Sequence, residues 1–142
     1  MTQIDLAEVL KNMLRFDDDV CVLLAYADQT RQSKTIIVRV PALSYVSPDR
    51  KAVFANVEIS GMTFTSEDPD RAELNDLLAA TERQILSWSP ENVTQAICRE
   101  GVCCDGLFDY AVNLIDTADS FVFTSSFTMA IQFNQNSEGE NL

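Results

Sequence analysis

Apolar residues recur every three or four positions near the start of the chain, which predicts an amphipathic helix over residues 2–15. The next apolar segments are shorter and rich in β-branched residues, so residues 20–26 and 35–40 are predicted to be strands. Pro41 is expected to end the second strand. The polar stretch between the strands predicts a hairpin-type loop, and residues 42–51, which contain Ser-Pro-Asp, predict a surface loop.

Residues 52–65 alternate apolar and polar side chains, and the alternation changes phase at Gly61. Apolar residues occupy odd positions before the glycine, whereas Met62 and Phe64 occupy even positions after it. A β-bulge inserts one residue and turns every later side chain to the other face, so it explains such a change. We therefore expect one long, bent strand. A tight hairpin turning at residues 60–61 is the alternative.

Two sequence pairs that end in proline are typical of helix N-termini and predict two consecutive helices that pack on the sheet. The Asp-Pro pair at 68–69 is typical of an N-cap followed by the first helical position, and it predicts a helix over residues 69–87. The Ser-Pro pair at 89–90 repeats the pattern and predicts a shorter helix to about residue 100.

The last third of the chain predicts two strands, over residues 107–115 and 120–133. In the second, the large residues Phe121, Phe123, Phe127, Met129, Ile131 and Phe133 all occupy odd positions, which is strong evidence for a strand. Residues 134–142 have no apolar periodicity and are expected to form a flexible acidic tail. Residues 1–133 then predict a single α+β domain, with a mostly antiparallel sheet of about four to five strands covered by two to three helices.

The charge of the chain is strongly negative, with 22 Asp plus Glu against 10 Lys plus Arg and a formal net charge of -12. Such acidity argues against binding to the phosphate backbone of nucleic acids. No histidine is present, which excludes Ser-His-Asp and Cys-His catalytic pairs and histidine zinc sites. The first 20 residues lack the pattern of a secretory signal, and no apolar run is long enough to cross a bilayer, so we expect a soluble protein made in a cytoplasm and no membrane partner.

The aspartates and glycines of the chain match no known motif for metal binding, catalysis or phosphate binding. The three aspartates at 17–19 lack the spacing of a calcium loop and are expected to form a solvated turn. Four further aspartates lie between residues 105 and 119, and they would form a hydrolase pair only if two were buried together. Glycine-rich phosphate loops are absent from the sequence.

The cysteines likewise match no known metal site or catalytic site. Cys98, Cys103 and Cys104 have no usual zinc spacing, and no histidine could activate a thiol. Cys21 lies in an apolar run and is expected to act as a small apolar residue, and structural disulfides are not expected. We therefore predict no catalytic residue, no metal and no cofactor.

Six residues in and beside the predicted strands are the candidates for contacts with other proteins. Basic side chains on so acidic a chain are suited to an acidic neighbouring subunit, and apolar side chains on a strand can seat another chain. The candidates are Arg39, Arg50, Lys51, Phe54, Met62 and Phe64.

Three stretches carry a resemblance to a known family: SKTIIVRV, the unit AVFANVEISGMTFTSEDPDRAELNDLLAATERQI and the closing SFVFTSSFTMAIQF. Together with chain length and the order of elements over residues 2–133, they resemble the tail-terminator or tail-completion proteins of long-tailed bacteriophages. The resemblance implies a structural virion protein, assembled in the host cytoplasm, that forms a homohexameric ring at the head-proximal end of the tail tube.

That ring would end tube polymerisation and join the tail to the head connector and neck proteins. Its partners would be other copies of itself, the tail tube protein and the connector, while DNA would pass through the lumen without specific binding. The family pattern suggests no role for the Cys103-Cys104 pair.

Two other classes of small acidic interaction protein remain open. An inhibitor that mimics DNA would arrange its carboxylates like phosphates, whereas those of this chain are scattered. A secretion-type chaperone would expose apolar patches for an unfolded client. A small enzyme is the least favoured class because no convergent set of polar residues is evident.

Overall fold

The computed structural model describes residues 2–25, 32–46 and 51–133. They form one α+β domain, as predicted. The helices are α1 (Gln3–Met13), α2 (Ala72–Ser87) and α3 (Pro90–Ile97), and the strands are β1 (Cys21–Leu24), β2 (Thr35–Tyr45), β3 (Ala52–Phe64), β4 (Val102–Asp116) and β5 (Ser120–Phe133).

The five strands form one mixed sheet in the order β1-β2-β3-β5-β4. All neighbouring pairs are antiparallel except β1 and β2, which are parallel, with Cys21 opposite Thr35. The predicted hairpin-type connection between these two strands is therefore wrong. The polarity of a connection indicates exposure to solvent, and it does not specify the direction in which the next strand runs.

The hydrophobic core lies between the three helices and one face of the sheet. The helices contribute their apolar stripes, which include Leu10 of α1, Leu77 of α2 and Val93 of α3. The sheet contributes alternate positions of its central strands, such as Val57 and the fully buried Phe123. A capping box in which Thr2 and Asp5 bond each other's backbone N–H groups begins α1.

Strand β2 continues past Pro41 to Tyr45, so the predicted stop at this proline is wrong, and the predicted loop over 42–51 is wrong for residues 42–45. Residues 47–50 of that loop lie outside the described residues. The pairing of β2 with β3 shifts register between Arg39 and Ala42, which marks a β-bulge. A bulge leaves a residue out of the ladder, and proline is tolerated there because it has no N–H to donate.

Strand β3 passes through Gly61 with neither bulge nor turn. Its pairing with β5 is continuous from Ala52 opposite Gln132 to Phe64 opposite Ser120. Burial keeps its alternation, since Gly61 faces the core and Met62 faces the other way. The one long strand is confirmed, but the bulge and the alternative hairpin are both wrong, because the ring of Phe123 occupies the space that a side chain at residue 61 would fill.

Helix α2 begins at Ala72, later than the Asp-Pro pair predicts. Its N-cap is Arg71, which adopts a left-handed φ of 64° and makes no side-chain capping bond. Asp68 supplies the cap from outside the helix, since its carboxylate accepts hydrogen bonds from the N–H groups of Glu73 and Leu74, each at 3.0 Å. The sequence identified the capping residue correctly but placed the first helical turn too early.

Helix α3 has the predicted start, with Ser89 and Asn92 forming a capping box around Pro90. It ends at Ile97, earlier than predicted, because Cys98 adopts a left-handed conformation with φ 51°. The chain then enters β4 at Val102, five residues before the predicted strand begins. None of the helices in the described ranges is both long and apolar enough to span a membrane.

Candidate interaction surface

The face of the sheet opposite the helices is not covered by any described helix. We call it the open face; it is formed by alternate residues of β2, β3, β5 and β4. Its centre is polar, with the hydroxyls of Ser60 and Thr124 3.0 Å apart and the Thr128 hydroxyl 3.4 Å from Asn56 Oδ1. Apolar side chains lie toward both ends of the face.

Four of the six predicted interaction residues lie together on the open face. Strand register places Arg39 of β2 and Phe54, Met62 and Phe64 of β3 on the side facing away from the helices. The fifth, Lys51, is exposed just before β3, and its carbonyl oxygen accepts a hydrogen bond of 2.8 Å from the N–H of Phe133. Arg50 lies outside the described residues.

The charge of Arg39 is offset within the chain itself. Its Nε lies 3.1 Å from Glu58 Oε1, directly across the β2 and β3 pair, and both side chains remain partly exposed. An acidic neighbour would compete with Glu58 for this guanidinium. The pair therefore adds a polar, nearly neutral spot to the open face.

An aromatic pair, Phe54 and Phe108, lies toward one end of the open face. Their ring centroids are 5.9 Å apart and the ring planes meet at 86°, an edge-to-face contact. Phe54 belongs to β3 and Phe108 to β4, and the small Ala130 of β5, which is paired with Phe54, lies between those strands. About 40% of Phe54 and 41% of Phe108 is exposed, so the pair is a surface feature.

Sequence reasoning did not single out Phe108. Its contact with Phe54 depends on β5 running between two strands that are far apart in sequence, and no local pattern carries that information. The exposure of Leu114 and Ile115, also on β4, was missed for the same reason.

Two of the clefts on the surface of the described residues carry side chains of both charges. One, of about 210 Å³, lies on the open face and is bordered by Arg39, Glu58, Met62 and Val122. The other, of about 310 Å³, lies between α2 and residues 15–20, and cations and carboxylates alternate around it. In both, mixed charges line the walls.

The acidic run at 17–19 forms a turn between α1 and β1, as predicted. Lys34 Nζ lies 2.5 Å from Asp19 Oδ2, and this hydrogen bond lowers the pKa of Asp19. Asp116 is likewise paired with Arg71. Within the described ranges, no group of three or more cysteine or acidic residues is arranged to hold a metal ion.

The four cysteines are free thiols. Burial raises the pKa of Cys104, and burial followed by the charge of Asp105 raises the pKa of Cys103. A nucleophilic cysteine needs the opposite shift, because the thiolate is the reactive form. Both side chains of this pair are thus held as protonated thiols at neutral pH.

Comparison with models of known protein families gives no match to this chain, and none of the curated proteins matches it significantly in sequence.

Proposed function

We propose that the protein is a structural component of a bacteriophage tail that assembles as a homohexameric ring at the head-proximal end of the tail tube. In that place it ends tube polymerisation and joins the tail to the head connector. The observation that supports this proposal is the one-sided architecture: three helices cover one face of the sheet, and the open face carries Arg39, Phe54, Met62 and Phe64 together.

A closed ring needs two different, complementary surfaces on every subunit. The open face supplies one, with the Phe54 and Phe108 rings at its apolar end. The helical layer supplies a second surface of different composition, on which Ile4 and Leu86 are 50% and 66% exposed. A head-to-tail contact between these two surfaces would repeat around the ring.

The net charge of -12 suits a channel for DNA. A lumen lined by carboxylates repels phosphates, so DNA would slide through without being held. The protein would therefore make no specific contacts to DNA.

The decisive experiment measures assembly directly. Native mass spectrometry of the purified chain, and electron microscopy of tail tubes incubated with it, should show six-fold rings on tube ends. Replacing both Phe54 and Phe108 by Ala should abolish tube capping, while Val46→Ala, which removes an exposed apolar side chain outside the strands, should not. A chain that fails to associate with tail tubes would refute the proposal.

A secretion-type chaperone is the second candidate, and the exposed Phe54 and Phe108 pair favours it because clients of such proteins bind exposed apolar patches. The same mass measurement distinguishes the chaperone from the tail ring. A dimer that keeps an unfolded client soluble, and loses this activity in the Phe54 and Phe108 double variant, would support the chaperone.

A further inference from the structure

β4 is an edge strand of the described sheet. β4 pairs with β5 on one side and is the last strand in the sheet order of the described chain. Helix α3 contacts its first part, where the N–H of Cys104 donates to the Thr94 hydroxyl at 2.8 Å. Beyond two register shifts, the segment 111–116 pairs with β5 in regular register up to Asp116, which lies opposite Phe121. We call this segment distal β4.

Distal β4 is exposed on both of its faces. Ile115 points to the open face and is 55% exposed, whereas Leu114 points to the helical side and is 61% exposed. The other residues of the segment are exposed as well, apart from the half-buried Val112. An apolar strand with both faces and one edge accessible has the form of a template for adding another strand.

The charges around distal β4 are mostly negative. Asp105, Asp109 and Asp119 flank it, Asp116 is its last residue, and all four are exposed; the sequence after Arg99 contains no Lys or Arg. The pairing of Arg71 with Asp116, and its stacking 4.5 Å from the centre of the Phe121 ring, brings one cation to this hairpin.

These charges decide which kind of strand fits the edge. A second copy of β4 would bring its own set of aspartates to the same edge, and like charges brought together across an interface oppose binding. The left-handed Asp109, with φ 61°, and the register shift between Phe108 and Ala111 confine regular pairing of any added strand to distal β4. A strand with basic ends meets no such repulsion.

We propose that distal β4 is the docking site for an extended segment of a partner protein, one with alternating apolar residues flanked by Lys or Arg. The segment adds to the sheet as a sixth strand beside β4. Its backbone supplies the ladder hydrogen bonds, its apolar side chains cover Leu114 and Ile115, and its basic ends face the aspartates. Ile115 points to the open face, so distal β4 adjoins one of the surfaces assigned to ring formation, but the proposal rests on the unpaired edge of the strand and does not depend on that assignment.

A short fluorescein-labelled peptide that alternates Val and Thr between Lys and Arg ends is the probe, with binding to the full chain followed by fluorescence anisotropy. We expect saturable binding that weakens with salt, together with protection of the amides of distal β4 in hydrogen exchange. Two control peptides should not bind: one with Glu at its ends, and one N-methylated at alternate residues so that it cannot form a ladder.

Protein variants locate the site. Leu114→Lys combined with Ile115→Lys should weaken binding by about ten-fold or more, the equivalent of about 1.4 kcal/mol. Val46→Lys, which also places a Lys at an exposed apolar position but outside the strands, should leave the affinity of the peptide unchanged. Asp109→Asn should weaken binding less, and its backbone should be unaffected because Asn tolerates the left-handed conformation.

Several results would overturn the proposal: no binding of the basic peptide, equal binding of the N-methylated peptide, or an equal loss of affinity in the Val46→Lys variant. A fall in the solution mass of the chain in the Leu114 and Ile115 double variant would show that another copy, and not a partner segment, covers these side chains. Normal ring formation by a chain that does not bind the peptide would refute this site alone and leave the proposed function standing.

Discussion

The ring of Phe123 lies directly against the backbone of Gly61. A Cβ built on Gly61 would be 2.0 Å from Phe123 Cε2, a separation that packed atoms do not reach. Phe123 is fully buried at the centre of β5, opposite Gly61 in register. The glycine is therefore required by the close approach of an aromatic ring, and its φ is ordinary for a strand.

Gly61→Ala should destabilise the fold. Overpacking a core costs about 1–3 kcal/mol, which outweighs the gain of about 0.4–1 kcal/mol from a less flexible unfolded chain. Urea unfolding followed by circular dichroism measures the change. Gly106→Ala is the matched control, because its new Cβ would meet nothing closer than a Phe108 ring atom at 3.8 Å. Equal stability of the two variants would contradict this account, and Phe123→Leu should rescue Gly61→Ala.

Asp68→Ala should lower the free energy of unfolding by about 1–3 kcal/mol. Asp68 is buried, and its carboxylate accepts bonds from the Thr63 hydroxyl at 2.8 Å and from the N–H groups of Glu73 and Leu74. Removing it leaves those donors without this partner at the start of α2. Asp76→Asn, at an exposed position of the same helix, controls for the loss of one negative charge and should change stability little.

The same carboxylate predicts a pH dependence. Burial on its own raises the pKa of Asp68, but the hydrogen bonds from Glu73, Thr63 and Leu74 outweigh it, so the pKa in the folded protein is lowered. The stability it contributes is therefore present above the unfolded value of about 3.9 and is lost as the pH falls through the lower folded pKa. Stability curves of the wild-type chain and of Asp68→Asn should converge in this acidic range, and parallel curves would refute the prediction.

Arg39→Ala should change the free energy of unfolding by less than about 1 kcal/mol, because exposed ion pairs contribute little. Its partner Glu58 is also partly exposed, so neither charge is left buried. A double-mutant cycle with Glu58→Ala, at low and high salt, measures the coupling. A coupling well above this limit would mean that the pair stabilises the sheet and is unsuitable as a neutral probe of the open face.

Thiol reactivity should follow exposure along the chain. Cys98 is exposed and should react first with Ellman's reagent at neutral pH, whereas Cys104, buried and with a raised pKa, should react only when the protein unfolds. Cys98→Ser removes the fast phase and identifies it. If Cys103 reacted faster than Cys98, the two thiols would have to be reconsidered as a nucleophilic site.

The predicted interaction residues show how far sequence reasoning reaches toward a surface. Phe54, Met62 and Phe64 share one face because β3 keeps its two-residue period, whereas the bulge predicted at Gly61 would have placed Phe54 on the face opposite the other two. Phe108 joins Phe54 only through β5, and the exposure of Leu114 depends on how elements distant in sequence pack around β4. Contacts between strands distant in sequence are not encoded in any local window.

The sequence by itself determined the α+β class, the order of the elements after residue 52, the alternation of β5 and the capping role of Asp68, because each depends on local periodicity or on side chains bonding nearby backbone. Tertiary structure decided the rest. It made β1 parallel to β2 and allowed β2 to continue past Pro41 through a bulge. At Gly61 the alternation of β3 continues because the ring of Phe123 fills the space beside the glycine. In each case the packing of distant segments outweighed a local preference of about 1 kcal/mol.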